Sequence, residues 1–283
     1  MPCYHPLPGW YGKTRGPSGK RPVVFQFSEG LKDRPVSVPC GRCTGCLLER
    51  ARTWAARCQH ESQLHESNLF VTLTYDDSHL PPGGSLDPRH MVLFLKRLRK
   101  AHGSFRFFQC GEYGEDLSRP HHHALLFGVR FDDARQLHGG SDLRESAELE
   151  RLWGHGLCTI GDVTFESAGY VARYSMKKLA AAARPELYPP YLTMSRRPGI
   201  GSGFIERHAR KVVLQDFIVS NGHKSGVPRF YRDRLSKTHP VESTEAGYRR
   251  KGLASVNPDS TGCRLIIREV VKQSSIQLLK RDL

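Results

Sequence analysis

Three consecutive histidines, His121, His122 and His123, stand at the start of an apolar run in the segment RPHHHALLFG, residues 119–128. Alternate side chains of a β-strand share a face, so His121 and His123 would point to one side and His122 to the other. Two imidazoles on one face can hold a single cation, and a carboxylate would complete a three-ligand site with open positions. A histidine tract can also be a satisfied core element or a solvated surface feature.

The candidate carboxylate belongs to the strand predicted just before the histidines. Residues 105–112 and 121–129 both have strand character and are joined by the polar loop YGEDLSRP. If the two strands pair as a hairpin, Glu112 lies beside His121, with Glu115 in the loop as the reserve ligand. We therefore predict a divalent metal site formed by His121, His123 and Glu112.

Two tyrosines and a lysine share one face of a helix predicted further along, in ESAGYVARYSMKKLAAA. Tyr170 and Tyr174 are four residues apart and Lys177 falls close to Tyr170 on the helical wheel, so the three form a polar stripe. A tyrosine hydroxyl can attack a DNA phosphodiester, leaving a 3′ hydroxyl and a 5′ phosphotyrosine, while a cation polarises the phosphate oxygens. Only about one part in a thousand of a tyrosine is ionised at neutral pH, so metal and Lys177 must supply about 4 kcal/mol. Ordinary half-buried packing is the alternative for this tyrosine pair.

Three of the eight cysteines, Cys40, Cys43 and Cys46, follow one another at three-residue steps in CGRCTGC. A structural zinc ion would need a fourth ligand, which Cys3 or His5 could supply. The spacing is also compatible with an iron–sulfur cluster, and the three are ordinary free cysteines if the segment is helical throughout. The remaining cysteines are expected to be packing residues or solitary thiols: Cys58, Cys110, Cys158 and Cys263.

The elements that position these residues follow from periodicity and from stop signals. Residues 47–64 place small and apolar side chains at helical spacing, and residues 69–75 are β-branched and aromatic, which indicates a helix and then a strand. Asp87 as N-cap, Pro88 at the first helical position and Gly103 as a stop define a second helix. A short helix near SAELERLW and a strand in LCTIGDVTF then lead to the tyrosine helix.

Composition divides the chain into three segments. Residues 1–66 form an N-terminal arm with the cysteine cluster and a helix, and the arm is expected to be extended up to residue 41; residues 67–182 carry the metal and tyrosine motifs. Residues 183–283 form a basic region that we expect to be partly disordered, and positions 181–283 hold 19 Lys and Arg against 9 Asp and Glu. Two basic motifs stay open: SRRPGIGSG is either a phosphate-binding turn or a plain loop, and LKRLRK either lines a DNA groove or is a solvated helix face.

The charge of the chain favours a nucleic acid partner. The formal net charge is +15, and a surplus of Lys and Arg binds phosphate backbones by releasing counterions. No run of 18 apolar residues exists, and the first residues lack the apolar core of a signal peptide. We therefore expect a soluble cytoplasmic protein with no membrane partner, and the scattered cysteines fit a reducing compartment.

Taken together, the motifs resemble the replication initiators of the gokushovirus branch of the small single-stranded DNA phages, within the HUH endonuclease superfamily. The resemblance lies within residues 38–203, in VPCGRCTGCLLERARTWAARCQHE, FVTLTYDDSHLP, MVLFLKRLRK, CGEYGEDLSRPHHHALLFG, IGDVTFESAGYVARYSMKK and SRRPGIG. It implies an α+β fold, a central antiparallel sheet with helices packed on it. It also implies a metal on the exposed face of the sheet with the tyrosine helix crossing nearby.

The resemblance further implies rolling-circle replication, in which an origin is nicked, the 5′ end is held covalently, the 3′ hydroxyl is extended and a second tyrosine rejoins the strand. Carried over to this chain, His121 and His123 are the motif histidines, Glu112 is the third ligand of Mg²⁺ or Mn²⁺, and Tyr170 and Tyr174 are the nucleophiles. The implied partners are single-stranded DNA, replicative-form origin DNA, and the helicase and polymerase of a bacterial host, in whose cytoplasm the protein would act.

Some interpretations stay open at this stage. The middle position of the family's histidine motif is usually apolar or aromatic, but here it is His122, and a one-residue slip would exchange the two faces of the strand. A transposase or relaxase of the same superfamily would use the same chemistry for element excision or plasmid transfer. A noncatalytic single-stranded nucleic-acid-binding protein, with a zinc knuckle and stacking tyrosines, would explain the charge and the aromatics but not the same-face histidines beside a carboxylate.

Overall fold

The computed structural model describes residues 3–17, 19–114, 118–137, 141–177 and 186–278, with the side chains of residues 173–177 excepted. Contacts group the chain into two compact units: the first unit is residues 1–49 with 248–283, and the second unit is residues 50–247. The second unit therefore extends beyond the segment 67–182 on both sides, and the first unit joins the two ends of the sequence.

The described residues form twelve strands and eight α-helices. The strands are β1 (Leu7–Gly12), β2 (Val23–Val24), β3 (Gly30–Val38), β4 (Asn68–Thr74), β5 (Arg106–Tyr113), β6 (Pro120–Phe127), β7 (Arg135–Gln136), β8 (Arg144–Glu145), β9 (Cys158–Asp162), β10 (Tyr191–Met194), β11 (Phe217–Ser220) and β12 (His223–Gly226). The helices are α1 (Thr44–Ser62), α2 (Pro88–His102), α3 (Ala147–Trp153), α4 (Phe165–Lys177), α5 (Ser202–Gln215), α6 (Arg229–Thr238), α7 (Pro240–Ser255) and α8 (Gly262–Gln277).

In the first unit, the N-terminal arm folds into a small sheet. Strands β2, β1 and β3 pair in that order and antiparallel, with Leu7 opposite Val38 and Trp10 opposite Pro35. The expectation of an extended arm is therefore wrong over these strands, because β1 and β3 satisfy each other's backbone hydrogen bonds. A glycine is needed at position 30, where β3 lies close to β1, since a Cβ there would overlap the side chain of Trp10.

The second unit is built on a seven-stranded antiparallel sheet in the order β10-β5-β6-β4-β9-β8-β7. Strand β6 lies between β5 and β4, where Glu112 pairs with His121 and Thr72 pairs with His123. The predicted hairpin of residues 105–112 and 121–129 is thus confirmed, including the neighbours Glu112 and His121. The expected central antiparallel sheet with packed helices is also present, and it defines an α+β fold.

Strand β6 contributes side chains to two cores because both faces of the sheet are covered, which explains its unbroken apolar run. Ala124 and Leu126 point to a core that includes Phe94 of α2 and Trp153 of α3. Leu125 and Phe127, which alternate with Ala124 and Leu126 along β6, point to a second core. That second core holds Ala51, Ala55 and Cys58 of α1, Phe108 and Cys110 of β5, Phe127 of β6, and Ala168, Val171 and Ala172 of α4.

Capping residues set both ends of α2 and the start of α4, two helices that pack on opposite faces of the sheet. Asp87 accepts a hydrogen bond from the Arg89 amide at the start of α2, and Gly103 ends that helix with a φ of 75°, as predicted. Thr164 and Ser167 cap each other at the start of α4, through amide-to-hydroxyl distances of 2.9 and 3.1 Å. The start of α4 is therefore fixed directly after β9, which determines the turn from which Tyr170 projects.

The C-terminal region holds more helix than the sequence predicts. Partial disorder was expected in residues 183–283, but α7 and α8 cover most of the described residues from 240 onward. The described part of α7 buries Ala246 and has little apolar periodicity, whereas α8 buries Leu265 and leaves Ile266, Ile267, Val270 and Val271 exposed. Among the helices of the described ranges, none combines the length and apolar character needed to cross a membrane.

Candidate metal and nucleophile site

Glu112, His121 and His123 converge on the sheet face that α4 covers. Glu112 Oε1 lies 3.2 Å from His121 Nε2 and 3.1 Å from His123 Nε2. One ligand atom from each of the three residues lies within 4.8 Å of the other two. The structure thus brings together the three residues proposed from the sequence, whereas the reserve ligand Glu115 lies outside the described residues.

The second ring nitrogen of each histidine is held by a neighbour. His121 Nδ1 lies 3.1 Å from the carbonyl of Arg119, which can only accept, so Nδ1 carries a proton and donates it. His123 Nδ1 lies 3.0 Å from the hydroxyl of Thr72, the residue opposite it on β4. Such partners orient the rings of metal-binding histidines and leave Nε2 as the ligand atom.

The donor set fits a divalent cation. Glu112 and His123 are only 2% and 6% exposed, so a carboxylate is buried against two imidazole nitrogens. Because Nδ1 of His121 donates its proton to a hydrogen bond with the Arg119 carbonyl, the neutral ring has no proton on Nε2. His121 Nε2 can therefore face Glu112 favourably only through a second proton or through a cation. Two nitrogens and a carboxylate oxygen are suitable ligands for manganese and acceptable ones for magnesium.

Helix α4 brings Tyr170 to the same centre. The Tyr170 hydroxyl donates a hydrogen bond to Glu112 Oε1 at 2.8 Å, and its ring meets that of His123 edge to face at 5.0 Å between centroids. Ala168, Val171 and Ala172 are fully buried on the opposite side of the helix, which packs against the sheet. The side chains of the other two residues of the predicted polar stripe, Tyr174 and Lys177, lie outside the described ones.

The expectation that the metal ligands lie on an exposed face of the sheet is wrong. Helix α4 packs over β5 and β6 and buries Glu112 and His123, while His121 and Tyr170 keep partial contact with solvent. A buried ligand set is screened less by water, so its charges interact more strongly with a phosphate that reaches them. The centre is therefore open to solvent on the side of His121 and Tyr170.

His122 points to the other face, which supports the predicted register. It is fully buried and lies 3.1 Å from the Tyr75 hydroxyl and 3.3 Å from the Tyr191 hydroxyl. Burial, together with the neighbouring histidines, lowers its pKa to about 3, so the ring is neutral. A Cβ at Gly111 would overlap the Tyr191 ring, so a glycine is required opposite His122.

The cysteine cluster is brought together in the first unit. The sulfur atoms of Cys3, Cys40, Cys43 and Cys46 all lie within 4.8 Å of one another. His5, the alternative fourth ligand, instead has its Nε2 in hydrogen-bond contact with Glu269 Oε2 at 2.6 Å. Of the other four cysteines, Cys58, Cys110 and Cys158 are buried and Cys263 is exposed, as expected for packing residues and a solitary thiol.

The structure favours the plain-loop interpretation of SRRPGIGSG, and it gives one arginine of LKRLRK partners within the protein. In SRRPGIGSG, the Gly201 amide donates to Glu61 Oε2 at 2.5 Å and the Ile200 carbonyl accepts from Arg57, so this loop is anchored internally. In LKRLRK, Arg97 donates to the carbonyls of Leu152 and Trp153 at 2.7 Å and caps the end of α3. Neither the Gly201 amide nor the Arg97 guanidinium is therefore directed at a phosphate.

Similarity to known proteins covers the region that holds this site. Residues 68–179 match the family described as Replication-associated protein ORF2/G2P. The Replication-associated protein VP4 of Bdellovibrio phage phiMH2K is 37% identical over 260 residues, which cover 87% of this chain and 80% of that protein. This chain belongs to the replication-associated proteins of microvirus phages. The resemblance found in the sequence is thereby confirmed at the level of the family.

Two further replication-associated proteins are similar. ORF2 of Spiroplasma virus 4 is 34% identical over 220 residues, covering 71% of this chain and 68% of that protein. ORF4 of Chlamydia phage 1 is 31% identical over 222 residues, covering 73% of this chain and 55% of that protein. No solved structure matches this chain. The family segment runs from β4 to just beyond α4 and so includes Thr72, Glu112, both metal-facing histidines and both tyrosines of α4.

Sequence reasoning missed Thr72 and the carbonyl of Arg119. Thr72 lies in a strand that the sequence does predict, and a hydroxyl in a β-strand is a common feature. The information lies in the pairing of β4 with β6, which places Thr72 opposite His123. Strand order in a sheet is a long-range property, and nothing in the local pattern of β4 reveals it.

Proposed function

We propose that this protein initiates phage DNA replication by nicking single-stranded origin DNA with a tyrosine nucleophile at a divalent metal site, as HUH endonucleases do. The proposal is carried by the Tyr170 hydroxyl, which lies 2.8 Å from the Glu112 oxygen that faces His121 and His123. A nucleophile and three metal ligands therefore share one centre within the segment that matches the replication family. The net charge of +15 supplies the attraction to phosphate.

The chemistry exchanges one phosphoester for another. A magnesium or manganese ion held by Glu112, His121 and His123 would stabilise the negative charge on the non-bridging oxygens of the scissile phosphate. Tyr170 Oη attacks the phosphorus, the bond from phosphorus to the 3′ oxygen breaks, and the departing oxygen gains a proton from water. The products are a free 3′ hydroxyl and a 5′ phosphate esterified to tyrosine, so the strand can later be rejoined without an external energy source.

Glu112 is placed to receive the proton that the nucleophile must lose. The Tyr170 hydroxyl already donates to Oε1 of this carboxylate, so the proton has an acceptor before the new bond forms. The position of Tyr170 is fixed by the buried side of α4, where Val171 and Ala172 pack against the sheet. The nucleophile therefore enters the reaction with little freedom left to lose, which favours attack on a phosphate bound beside it.

Tyr174 completes the proposed cycle as the second nucleophile, and Lys177 assists ionisation of the phenols. Tyr174 follows Tyr170 by one helical turn, a rise of about 6 Å, so a modest movement of DNA would exchange the two hydroxyls at one metal. The first tyrosine would keep the 5′ end while host helicase and polymerase extend the 3′ hydroxyl. The second tyrosine would then cut the regenerated origin and release a closed circle.

A noncatalytic single-strand-binding role explains less of the structure. Tyrosines that serve as stacking platforms present their ring faces to bases. Tyr170 is instead turned edge-on to His123 and directs its hydroxyl at a buried carboxylate. A transposase or relaxase would share this geometry, but the similar proteins are replication-associated proteins of phages.

The experiment uses single-stranded oligonucleotides of randomised sequence, labelled at either end, with the full-length protein and manganese. If cleavage leaves a 5′ phosphotyrosine, the 3′-labelled strand stays with the protein in SDS and the 5′-labelled strand is released with an extendable 3′ hydroxyl. Tyr170→Phe/Tyr174→Phe should abolish the adduct but keep DNA binding. Tyr113→Phe is the matched control, because the Tyr113 hydroxyl donates to the Tyr188 carbonyl instead of to a metal ligand.

Three results would reject the proposal. One is release of both labelled fragments without an adduct, which indicates hydrolysis by water. Another is an adduct that persists in the double Phe variant. The last is DNA binding by the wild-type protein with no cleavage at any manganese concentration, which would favour the noncatalytic interpretation.

A further inference from the structure

The four cysteines of the first unit meet because of the way its strands are connected. Strand β1 runs antiparallel to β3 with Leu7 opposite Val38, so the start of one lies beside the end of the other. Cys3 comes shortly before β1 and Cys40 shortly after β3, and the same end of the strand pair therefore carries both. The chain then turns into α1 at Thr44, and Cys43 and Cys46 flank that start.

Backbone amides point at the sulfur atoms. The Cys40 amide donates to Cys3 Sγ at 3.2 Å, the Cys43 amide to Cys40 Sγ at 3.3 Å, and the Tyr4 amide to Cys43 Sγ at 3.3 Å. A neutral thiol is a weak acceptor, whereas a thiolate accepts strongly. Three amide donors directed at three sulfurs thus describe a site built for thiolates, and several thiolates in such a small space require a cation among them.

The spacing of the sulfurs matches a single tetrahedral ion. A zinc–sulfur bond of about 2.3 Å places tetrahedral thiolates about 3.8 Å apart. Cys3 Sγ and Cys43 Sγ are 3.9 Å apart, and all four sulfurs lie within 4.8 Å of one another. A cluster of several irons would insert its own iron and sulfide atoms between the cysteines and hold them further apart.

Besides its small sheet and the buried Leu265 of α8, the described part of the first unit has little apolar core. Each of the three clusters of buried apolar side chains is formed by residues of the second unit, from Ala51 onward. In the part of residues 1–49 that the structure describes, the buried hydrophobic side chains are Cys3, Cys43 and Leu47. A segment with so small a core usually depends on a disulfide or a metal, and these cysteines are free of disulfides.

We propose that Cys3, Cys40, Cys43 and Cys46 bind one structural zinc ion that fastens the strand pair β1–β3 to the start of α1. The ion holds the two ends of the strand pair together and completes the fold of residues 3–49. This site uses none of the residues of the nicking chemistry, so each proposal can fail without the other. His5 is not among the four ligand atoms that lie together, and its Nε2 contacts Glu269.

The first test is the metal content of full-length protein prepared without chelator. Elemental analysis should find one zinc per chain after dialysis, and Cys46→Ser should lose it. Cobalt added to zinc-depleted protein should give the intense visible absorption of a tetrahedral thiolate site. Cys46→His, which keeps a zinc ligand, should retain the metal with a shifted cobalt spectrum, and Cys263→Ser, an exposed thiol outside the cluster, should behave as wild type.

The second test measures what the ion does to the fold. Removal of zinc should raise the rate of tryptic cleavage at Lys13, Lys20, Lys32 and Arg42 by at least tenfold, and added zinc should reverse the change. Cleavage at Lys96 and Lys100 of α2, in the second unit, serves as the internal control. Iron in place of zinc, no metal in freshly prepared protein, full zinc retention by Cys46→Ser, or unchanged proteolysis after zinc removal would each overturn the proposal.

Discussion

Replacing Thr72 with valine tests whether the histidine pair is a metal site. Thr72→Val keeps the β-branched shape that suits the strand and removes the hydroxyl that lies 3.0 Å from His123 Nδ1. His123 then loses the partner that fixes its ring and directs Nε2 toward Glu112. Loss of such an outer partner typically weakens metal binding 10- to 100-fold, which corresponds to about 1.4 to 2.7 kcal/mol.

The assay is the manganese concentration that gives half-maximal cleavage of a labelled oligonucleotide. We expect it to rise 10- to 100-fold in Thr72→Val, while the rate at saturating manganese stays close to that of wild type. Thr74→Val is a matched control two residues along the same face of β4, opposite His121. Its hydroxyl donates to the Leu157 carbonyl, which also accepts from the Thr74 amide, so the metal ligands keep all their partners.

Equal manganese requirements in Thr72→Val and Thr74→Val would refute the reasoning. They would show that the ring of His123 needs no support from Thr72, or that His123 does not bind the metal. A lower rate at saturating manganese with an unchanged requirement would instead indicate that Thr72 acts on DNA or on Tyr170.

The remaining predictions concern the strand face, the pH dependence of stability and one loop. His123→Ala should abolish manganese-dependent cleavage. His122→Ala should still cleave, but its free energy of unfolding in urea should be about 2 to 4 kcal/mol lower, because the substitution leaves a cavity and removes the partner of two tyrosine hydroxyls. The reverse ranking in cleavage and in urea unfolding would place the metal on the other face of the strand. Burial lowers the pKa of His60 to about 4, below the unfolded value near 6.5, so the unfolded chain binds the proton first and the free energy of unfolding falls as pH drops from about 6.5 to 4. His60→Gln should flatten this slope by up to about 1.4 kcal/mol per pH unit in urea unfolding, and an unchanged slope, with exposed His223→Gln as control, would contradict the assignment. Gly201→Ala should destabilise by more than about 2 kcal/mol, because Gly201 has a φ of 79° and a Cβ there would overlap the Tyr231 hydroxyl, whereas Gly222→Ala, with a φ of 74° and open space, should cost about 1 kcal/mol in the same assay.

Local sequence signals predicted the helices and longer strands of the second unit from α1 to α4, but not its short strands or the elements from β10 to α6. Helix α2 begins after Asp87 and ends at Gly103 as expected, and β6 was recognisable from its continuous apolar run, which arises because the side chains on both of its faces enter cores. The extended arm was wrong because its glycines and prolines concealed strands whose pairing joins residues far apart in sequence, such as Leu7 and Val38. Helix α7 was missed because its sequence has little apolar periodicity, whereas the apolar residues of α8, such as Leu265, Val270 and Val271, do recur at helical spacing and were overlooked.

The candidate site was predictable where it depends on one hairpin and one helix. A short polar loop between β5 and β6 is enough to place Glu112 beside His121, and four-residue spacing is enough to place the tyrosines on one stripe. The exposed metal face was wrong because the sequence does not show that α4 packs directly over the ligands. Cys3 could not be chosen over His5 for the same reason, since the choice depends on how β1 pairs with β3 and on the contact between His5 and Glu269.

The most direct test of the central claim is to locate the covalent bond on wild-type protein trapped with single-stranded DNA in manganese. Trypsin cuts after Arg151, Arg173 and Lys177, so Tyr170 falls in the peptide 152–173 and Tyr174 in the peptide 174–177. After nuclease trimming, mass spectrometry should find a 5′ nucleotide on Tyr170 or Tyr174 and nowhere else, and the modification should disappear in His123→Ala. A nucleotide on Tyr113 or Tyr191, or an unchanged yield in His123→Ala, would contradict a tyrosine nucleophile working beside the Glu112, His121 and His123 metal site.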